Sequence, residues 1–133
     1  MSLFVDTSAF CAVLDRRDIH HDAADKTWAE LMESREALHT SNYVLIETMA
    51  LLQSRIGMEG MGAFVADVMP VITVHWVTEG VHRSAQHALL VAGRRQLSLV
   101  DCVNFELMRR MGLRDVFCFD EHFREQGFHC VAG

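Results

Sequence analysis

A chain of 133 residues, half of them hydrophobic, has room for one domain whose core needs no covalent staples, and little room for a second. Its formal charge of −6 weighs against a broad basic surface of the kind that binds nucleic acid unaided. Eleven of its twelve basic residues are nevertheless arginines, the side chain suited to bidentate phosphate contacts. The apolar runs are too short to span a membrane, and a single proline, Pro70, with no Pro/Gly/Ser-rich stretch, predicts neither linker nor repeat. Residues 1–6 lack the basic flank and long apolar stretch of a signal peptide, so a cytoplasmic protein is expected. Cys11, Cys102, Cys118 and Cys130 have no zinc-ligand spacing and sit among apolar neighbours, which predicts buried free thiols.

In chain order, Leu3-Phe4-Val5 is an apolar run stopped by Asp6-Thr7-Ser8. It predicts a buried strand entering a helix, with Thr7 or Ser8 as N-cap. Residues 9–14 read as a short helix, and Asp15-Arg16-Arg17-Asp18 as a polar break. Over residues 20–35 the period is helical, with Ala24, Trp28 and Leu31 on one face. Residues 37–40 predict a second strand, after which Ser41 or Asn42 caps a long helix through Arg55, stopped at Gly57. A further helix is expected over residues 58–69, weakened by Gly60 and Gly62. The β-branched run 71–77 is the clearest strand. Thr78 begins a helix with Val81, Ala85, Leu89 and Ala92 on one face. Another helix covers residues 100–111 and ends at Gly112. Residues 116–119 predict a strand, Asp120 the cap of a short helix to Glu125, and residues 128–131 a last edge strand. Strands alternating with helices imply an α/β fold with a parallel sheet, whose ligands bind at the carboxyl ends of the strands. Asp6 and Asp120 lie at such ends, while Glu47 and Asp101 lie in the first turns of helices that can face them.

Glu47 is the most informative of these four acids. Its helical neighbours Tyr43, Val44, Ala50 and Leu51 offer no salt bridge, and a carboxylate on such a face is expensive to bury unless it is paired or ligates a metal. The competing reading is a solvent-facing side chain. Asp6 and Asp120 are each open to a second reading as plain turn or cap residues. Asp101 follows Ser98 at capping-box spacing, yet is flanked by Val100, Cys102 and Val103. Asn104, one turn on, can share its face, although a solvent-facing amide is the preferred reading there. Four hard oxygen ligands gathered by one topology are what Mg²⁺ or Mn²⁺ requires. The histidines, including the adjacent pair His20-His21, are scattered without paired metal spacing and read mostly as surface or core residues. Asp18, Asp22 and Asp25 read as a solvated face.

With these residues in place, the chain resembles the PIN-domain family across essentially its whole length, and most of all the VapC-type toxins of bacterial toxin–antitoxin pairs. Phe4-Val5-Asp6-Thr7-Ser8-Ala9 is similar to the family's first motif, and Thr40-Ser41-Asn42-Tyr43-Val44-Leu45-Ile46-Glu47 to its second. Leu97-Ser98-Leu99-Val100-Asp101-Cys102 resembles the third, and Phe119-Asp120-Glu121-His122-Phe123 the fourth. The resemblance implies a three-layer α/β/α fold with a central, mainly parallel sheet, forming one nuclease domain over residues 1–133. It implies a Mg²⁺- or Mn²⁺-dependent endoribonuclease with Asp6, Glu47, Asp101 and Asp120 as catalytic and metal-binding residues. It also implies an RNA substrate, a homodimer and a small antitoxin that blocks the acidic groove. A housekeeping RNA-processing nuclease and a degenerate RNA- or protein-binding module are the alternatives. One position departs from the pattern: Cys118 stands where the family often has Thr or Ser two residues before the last acid, so a hydroxyl that would orient Asp120 is missing.

Overall fold

In a computed structural model, which describes residues 2–132, the opening apolar run forms β1 (Ser2–Val5). The two end residues of the expected 1–133 domain, Met1 and Gly133, lie outside the described residues. Leu3, Phe4 and Val5 are all buried, as a strand covered on both faces requires. The chain continues through α1 (Thr7–Leu14) and α2 (His21–Ser34) to β2 (Ala37–Ser41). The long helix α3 (Asn42–Ala63) passes into a π-helical turn (Phe64–Val68) and a 3-10 turn (Met69–Val71) before β3 (Ile72–His75). Then come α4 (Glu79–Ala92), α5 (Leu99–Met111), β4 (Asp115–Phe117), α6 (His122–Glu125) and β5 (His129–Cys130).

All strand pairings are parallel, in the order β3-β2-β1-β4-β5. From β1 the sheet grows outward through β2 to β3, then resumes on the other side of β1 with β4 and β5. Right-handed crossovers therefore place α1, α2 and α3 on one face and α4, α5 and α6 on the other. In keeping with this, α1 packs on α2 and α3, and α4 on α5. The result is a doubly wound three-layer α/β/α fold whose strand order reverses between β1 and β4. That switch point opens a crevice beyond the carboxyl ends of the two strands.

Two local expectations are corrected and one is borne out. The N-cap of α1 is Asp6, whose Oδ2 accepts from the Ser8 backbone N–H, rather than Thr7 or Ser8. Gly57 breaks α3 as expected: its φ 77° and ψ −168° are non-helical, a conformation glycine adopts without steric penalty, so the segment is two helices joined at a kink. The strands are shorter than the apolar runs that contain them, because Val77 and Phe119 donate their backbone N–H groups to the Asn42 and Ser8 side chains, off the sheet. The four cysteines are buried and free, as expected. No described helix is long and apolar enough to cross a membrane.

Candidate functional site

Asp6 leaves β1 and caps α1, so its side chain is held at the switch point. It is only 5% exposed. Oδ2 accepts from the Ser8 hydroxyl at 2.8 Å and the Ser8 N–H at 3.2 Å, and Oδ1 accepts from Asn104 Nδ2 at 3.3 Å. Burial pushes its pKa up to about 7; the Ser8 bonds oppose the rise, and the nearby charges of Asp101 and Asp120 add to it.

Asp101 sits in the first turn of α5, 8% exposed, and completes a capping box with Ser98. The Ser98 hydroxyl accepts from the Asp101 N–H at 3.0 Å, and Asp101 Oδ2 accepts from the Ser98 N–H at 3.1 Å. Its pKa is also raised, chiefly by burial, with the Asp120 charge contributing against the Ser98 bonds. Asp120 follows β4 on a short loop, and its Oδ1 accepts from the His122 backbone N–H at 3.0 Å. Glu47 projects from the second turn of α3, half-buried, with no hydrogen-bonding or ionic partner among the described residues.

All four acids line one cleft of about 340 Å³, together with Thr7, Ser8, Ser98 and Phe119. A larger groove of about 570 Å³ lies between α4 and α5; none of the four acids reaches it, and its lining is mainly apolar. Within the acid cleft the tightest grouping is Asp101, Asp120 and His122, each offering one ligand atom, all within 4.8 Å of one another. The hard carboxylate oxygens of this group suit Mg²⁺ or Mn²⁺. Two carboxylates whose pKa is raised by burial and mutual repulsion are groups that a cation would relieve, so the donor set fits a divalent metal.

Three residues outside the expected set belong here. Asn104 is completely buried rather than solvent-facing; it donates to Asp6, and its Oδ1 has no partner. Its spacing of three from Asp101 was the available signal. His122, which reads with the other histidines as a surface or core residue, stands beside Asp120, two residues along the same turn. Asp18 is not part of a solvated helical face: it precedes α2, lines the cleft and pairs with Arg55 at 3.3 Å, whereas Asp22 and Asp25 are exposed. Cys118 leaves no gap at the acids, because its thiol lies 3.0 Å from that of Cys130 on β5 and the His122 amide holds Asp120 instead.

A doubly wound parallel sheet with four acids gathered at its switch point is compatible with a nuclease, and comparison with known sequences gives it a family. The PIN domain matches residues 3–129, and the chain belongs to that family. The 23S rRNA-specific endonuclease VapC20 of Mycobacterium tuberculosis is 34% identical over 127 residues, 95% of either chain. The crystal structure of that protein, described as a sarcin-ricin loop cleaving toxin, covers 99% of this chain and 100% of its own with a TM-score of 0.88. PAE2754 from Pyrobaculum aerophilum, at 18% identity and a TM-score of 0.65 over 98% of this chain and 88% of its own, shares the fold.

Proposed function

We propose that this chain is a metal-dependent endoribonuclease, the toxin of a type II toxin–antitoxin pair, working as a single domain over residues 1–133. The observation that carries the reading is the convergence of Asp6, Glu47, Asp101 and Asp120 on one cleft at the switch point. These acids would hold Mg²⁺ or Mn²⁺, with His122 beside Asp120 and Asp101 as a further donor. Such a cation supplies an acidified water at neutral pH and stabilises charge on the phosphate. The protein's own part is positional. Ser8 and Asn104 fix both oxygens of Asp6, Ser98 fixes one oxygen of Asp101, and the His122 amide fixes one of Asp120. A ligand set already held in place has less freedom to lose when substrate arrives.

The substrate we assign is ribosomal RNA, in a loop of the sarcin-ricin type, on the strength of 34% identity along nearly the whole chain to an enzyme of that specificity. Residence in the cytoplasm goes with that substrate. We further assign two protein partners: a second copy of the chain and a small antitoxin. Large apolar side chains left exposed, including Ile46, Trp76, Leu90 and Val91, are surface for such contacts. An antitoxin for the acid cleft would carry Arg or Lys into it.

The test is direct. Purified chain, freed of any inhibitor, should cut ribosomal RNA at a single mapped position with Mg²⁺ or Mn²⁺ and not with EDTA. Asp101→Asn should abolish cleavage. Induction of the parent should slow growth, and a short neighbouring gene should relieve it. Cleavage unaffected by EDTA or by Asp101→Asn refutes the metal site. Harmless expression of active enzyme with no neighbouring partner gene refutes the toxin assignment.

A further inference from the structure

The acid cleft has a second wall that the metal site leaves unused. It is built from Asp18, His20, Leu51, Arg55 and Phe119. The His20 ring lies flat on the Phe119 ring, with centroids 4.5 Å apart and planes within 8°. His20 is exposed, so only one face of its imidazole is covered. Phe119 immediately precedes Asp120, and its N–H donates to the Ser8 hydroxyl at 3.0 Å, which in turn donates to Asp6. The stack is therefore tied to the acids through one hydroxyl.

Asp18 organises the rest of this wall. Its Oδ1 accepts from the His20 N–H at 2.8 Å, and its Oδ2 accepts from Arg55 Nη1 at 3.3 Å. One carboxylate thus sets both the ring and the cation, and with both oxygens engaged it serves the loop. Arg17 Nη2 reaches the Arg55 carbonyl at 3.0 Å and steadies the same turn of α3. Arg55 is the one arginine lining the cleft, and its remaining donors have no protein partner among the described residues. In a cleft otherwise lined by carboxylates, it is the fixed positive charge available to a phosphodiester.

We propose that this wall is a nucleotide subsite: the open face of His20, backed by Phe119, takes an unpaired nucleobase, and Arg55 takes the adjoining phosphate. The ligand class follows from the geometry. A base offers its face to a flat ring only when it is unstacked, as in an RNA loop or single strand, and a paired A-form stem hides it. Asp18 is a positioning residue, acting through His20 and Arg55. The proposal rests on the nuclease reading for its place in catalysis, but binding can be measured without cleavage.

The experiment uses the full chain, a fluorescein-labelled RNA hairpin with an unpaired loop, and the same stem closed as a duplex. Fluorescence anisotropy gives affinity, and initial rates with Mn²⁺ give KM and kcat. His20→Ala should weaken loop binding and raise KM roughly tenfold, as loss of one stacked base does, with little change in kcat. His20→Phe should restore both. Arg55→Gln should weaken binding and reduce the slope of log affinity against log salt by about 0.7, the share of one phosphate contact to a single strand. The Mn²⁺-induced rise in Tm should be the same in His20→Ala as in the parent, which separates the subsite from the metal centre. If His20→Ala binds and cuts like the parent, the subsite is overturned and the nuclease reading stands. If both His20 variants lose kcat at unchanged KM, the imidazole moves a proton and the stacking role is overturned. If the parent cuts no RNA yet prefers the hairpin to the duplex through His20, the subsite stands and the nuclease reading falls.

Discussion

Replacing Asp6 by asparagine removes a charge while keeping a shape, and the structure sets the sign of the result. The folded protein holds the Asp6 proton up to about pH 7, against an ordinary value of 3.8. Between these values the folded state binds more protons than the unfolded one, so stability is full below pH 3.8 and is lost as pH rises to about 7. Each pH unit in that interval is worth about 1.36 kcal/mol, so the loss is about 4 kcal/mol. Asp6→Asn abolishes this penalty without breaking the local bonds. The amide oxygen still accepts from Ser8, and Asn104 can turn over so that its Oδ1, now without a partner, accepts from the new amide. Asparagine is also as good an N-cap as aspartate. In EDTA, the two proteins should melt closely together at pH 4, with the substituted protein gaining steadily to about pH 7 and holding that gain above it. For a domain of this size 1 kcal/mol is roughly 4 °C, so the gap at pH 8 should be about 15 °C. Calorimetry from pH 4 to 8.5 measures it, and the difference between the two curves isolates Asp6 from the other acids. Parallel curves, or an Asp6→Asn protein that melts below the parent at pH 8, would show that Asp6 is a structural anion and not one that the fold holds at a penalty.

Adding Mn²⁺ at one hundred times its dissociation constant should stabilise the parent by about 2.7 kcal/mol, and the increment should vanish in Asp101→Asn. Glu47 has no partner to lose among the described residues, so Glu47→Gln should melt no lower than the parent in EDTA while showing a smaller Mn²⁺ increment; a lower Tm with an unchanged increment would make Glu47 a structural residue. Ser8→Ala removes the hydroxyl shared by Asp6 and Phe119, leaves the Phe119 N–H unpaired, and should destabilise by about 1–3 kcal/mol on denaturant titration. Asn104→Ala should lower cleavage by freeing Asp6 Oδ1, whereas Asn104→Asp should add a buried negative charge beside Asp6 and be the less stable of the two at pH 8.

The layer order and the strand ends were legible because they follow from pattern: the runs 3–5, 37–40, 71–77 and 116–119 are short and rich in apolar or β-branched residues, and helices that follow them are capped by Ser41, Thr78 and Ser98. Placing Asp6 and Asp120 at the carboxyl ends needed no more than this. What escaped depends on distant partners. Asn104 reads as an ordinary amide until it is seen against Asp6, 98 residues away, and Asp18 reads as a solvated acid until α3 brings Arg55 to it. His20 carries no local signal at all, since its stacking partner lies at the far end of the chain. Gly57 was legible for the opposite reason: a positive φ that favours glycine is local, and it breaks α3 where the sequence places the stop.

On the metal-site reading proposed above, capping and ligation need not compete at Asp101 and Asp120, whereas both oxygens of Asp6 are already engaged. Asp6 caps α1, Asp101 closes a capping box on α5, and Asp120 accepts from the amide that leads into α6. A capping carboxylate faces the positive end of a helix, which offsets part of its charge and lowers the repulsion among neighbours. Capping also occupies one oxygen and fixes the other. In Asp101 the cap uses Oδ2 and in Asp120 the amide uses Oδ1, so each keeps one oxygen with no hydrogen-bond donor among the described residues. That leftover oxygen is held by backbone geometry instead of by a rotatable side chain, which is the condition for a preorganised metal ligand. Glu47 lacks this support: it lies past the first turn of α3, unpaired and only half-buried. On the same reading, Glu47 is the one of the four acids whose position a cation would complete. For that reason Glu47→Gln should weaken Mn²⁺ binding without disturbing the metal-free fold, while replacing any capping acid by alanine should disturb both.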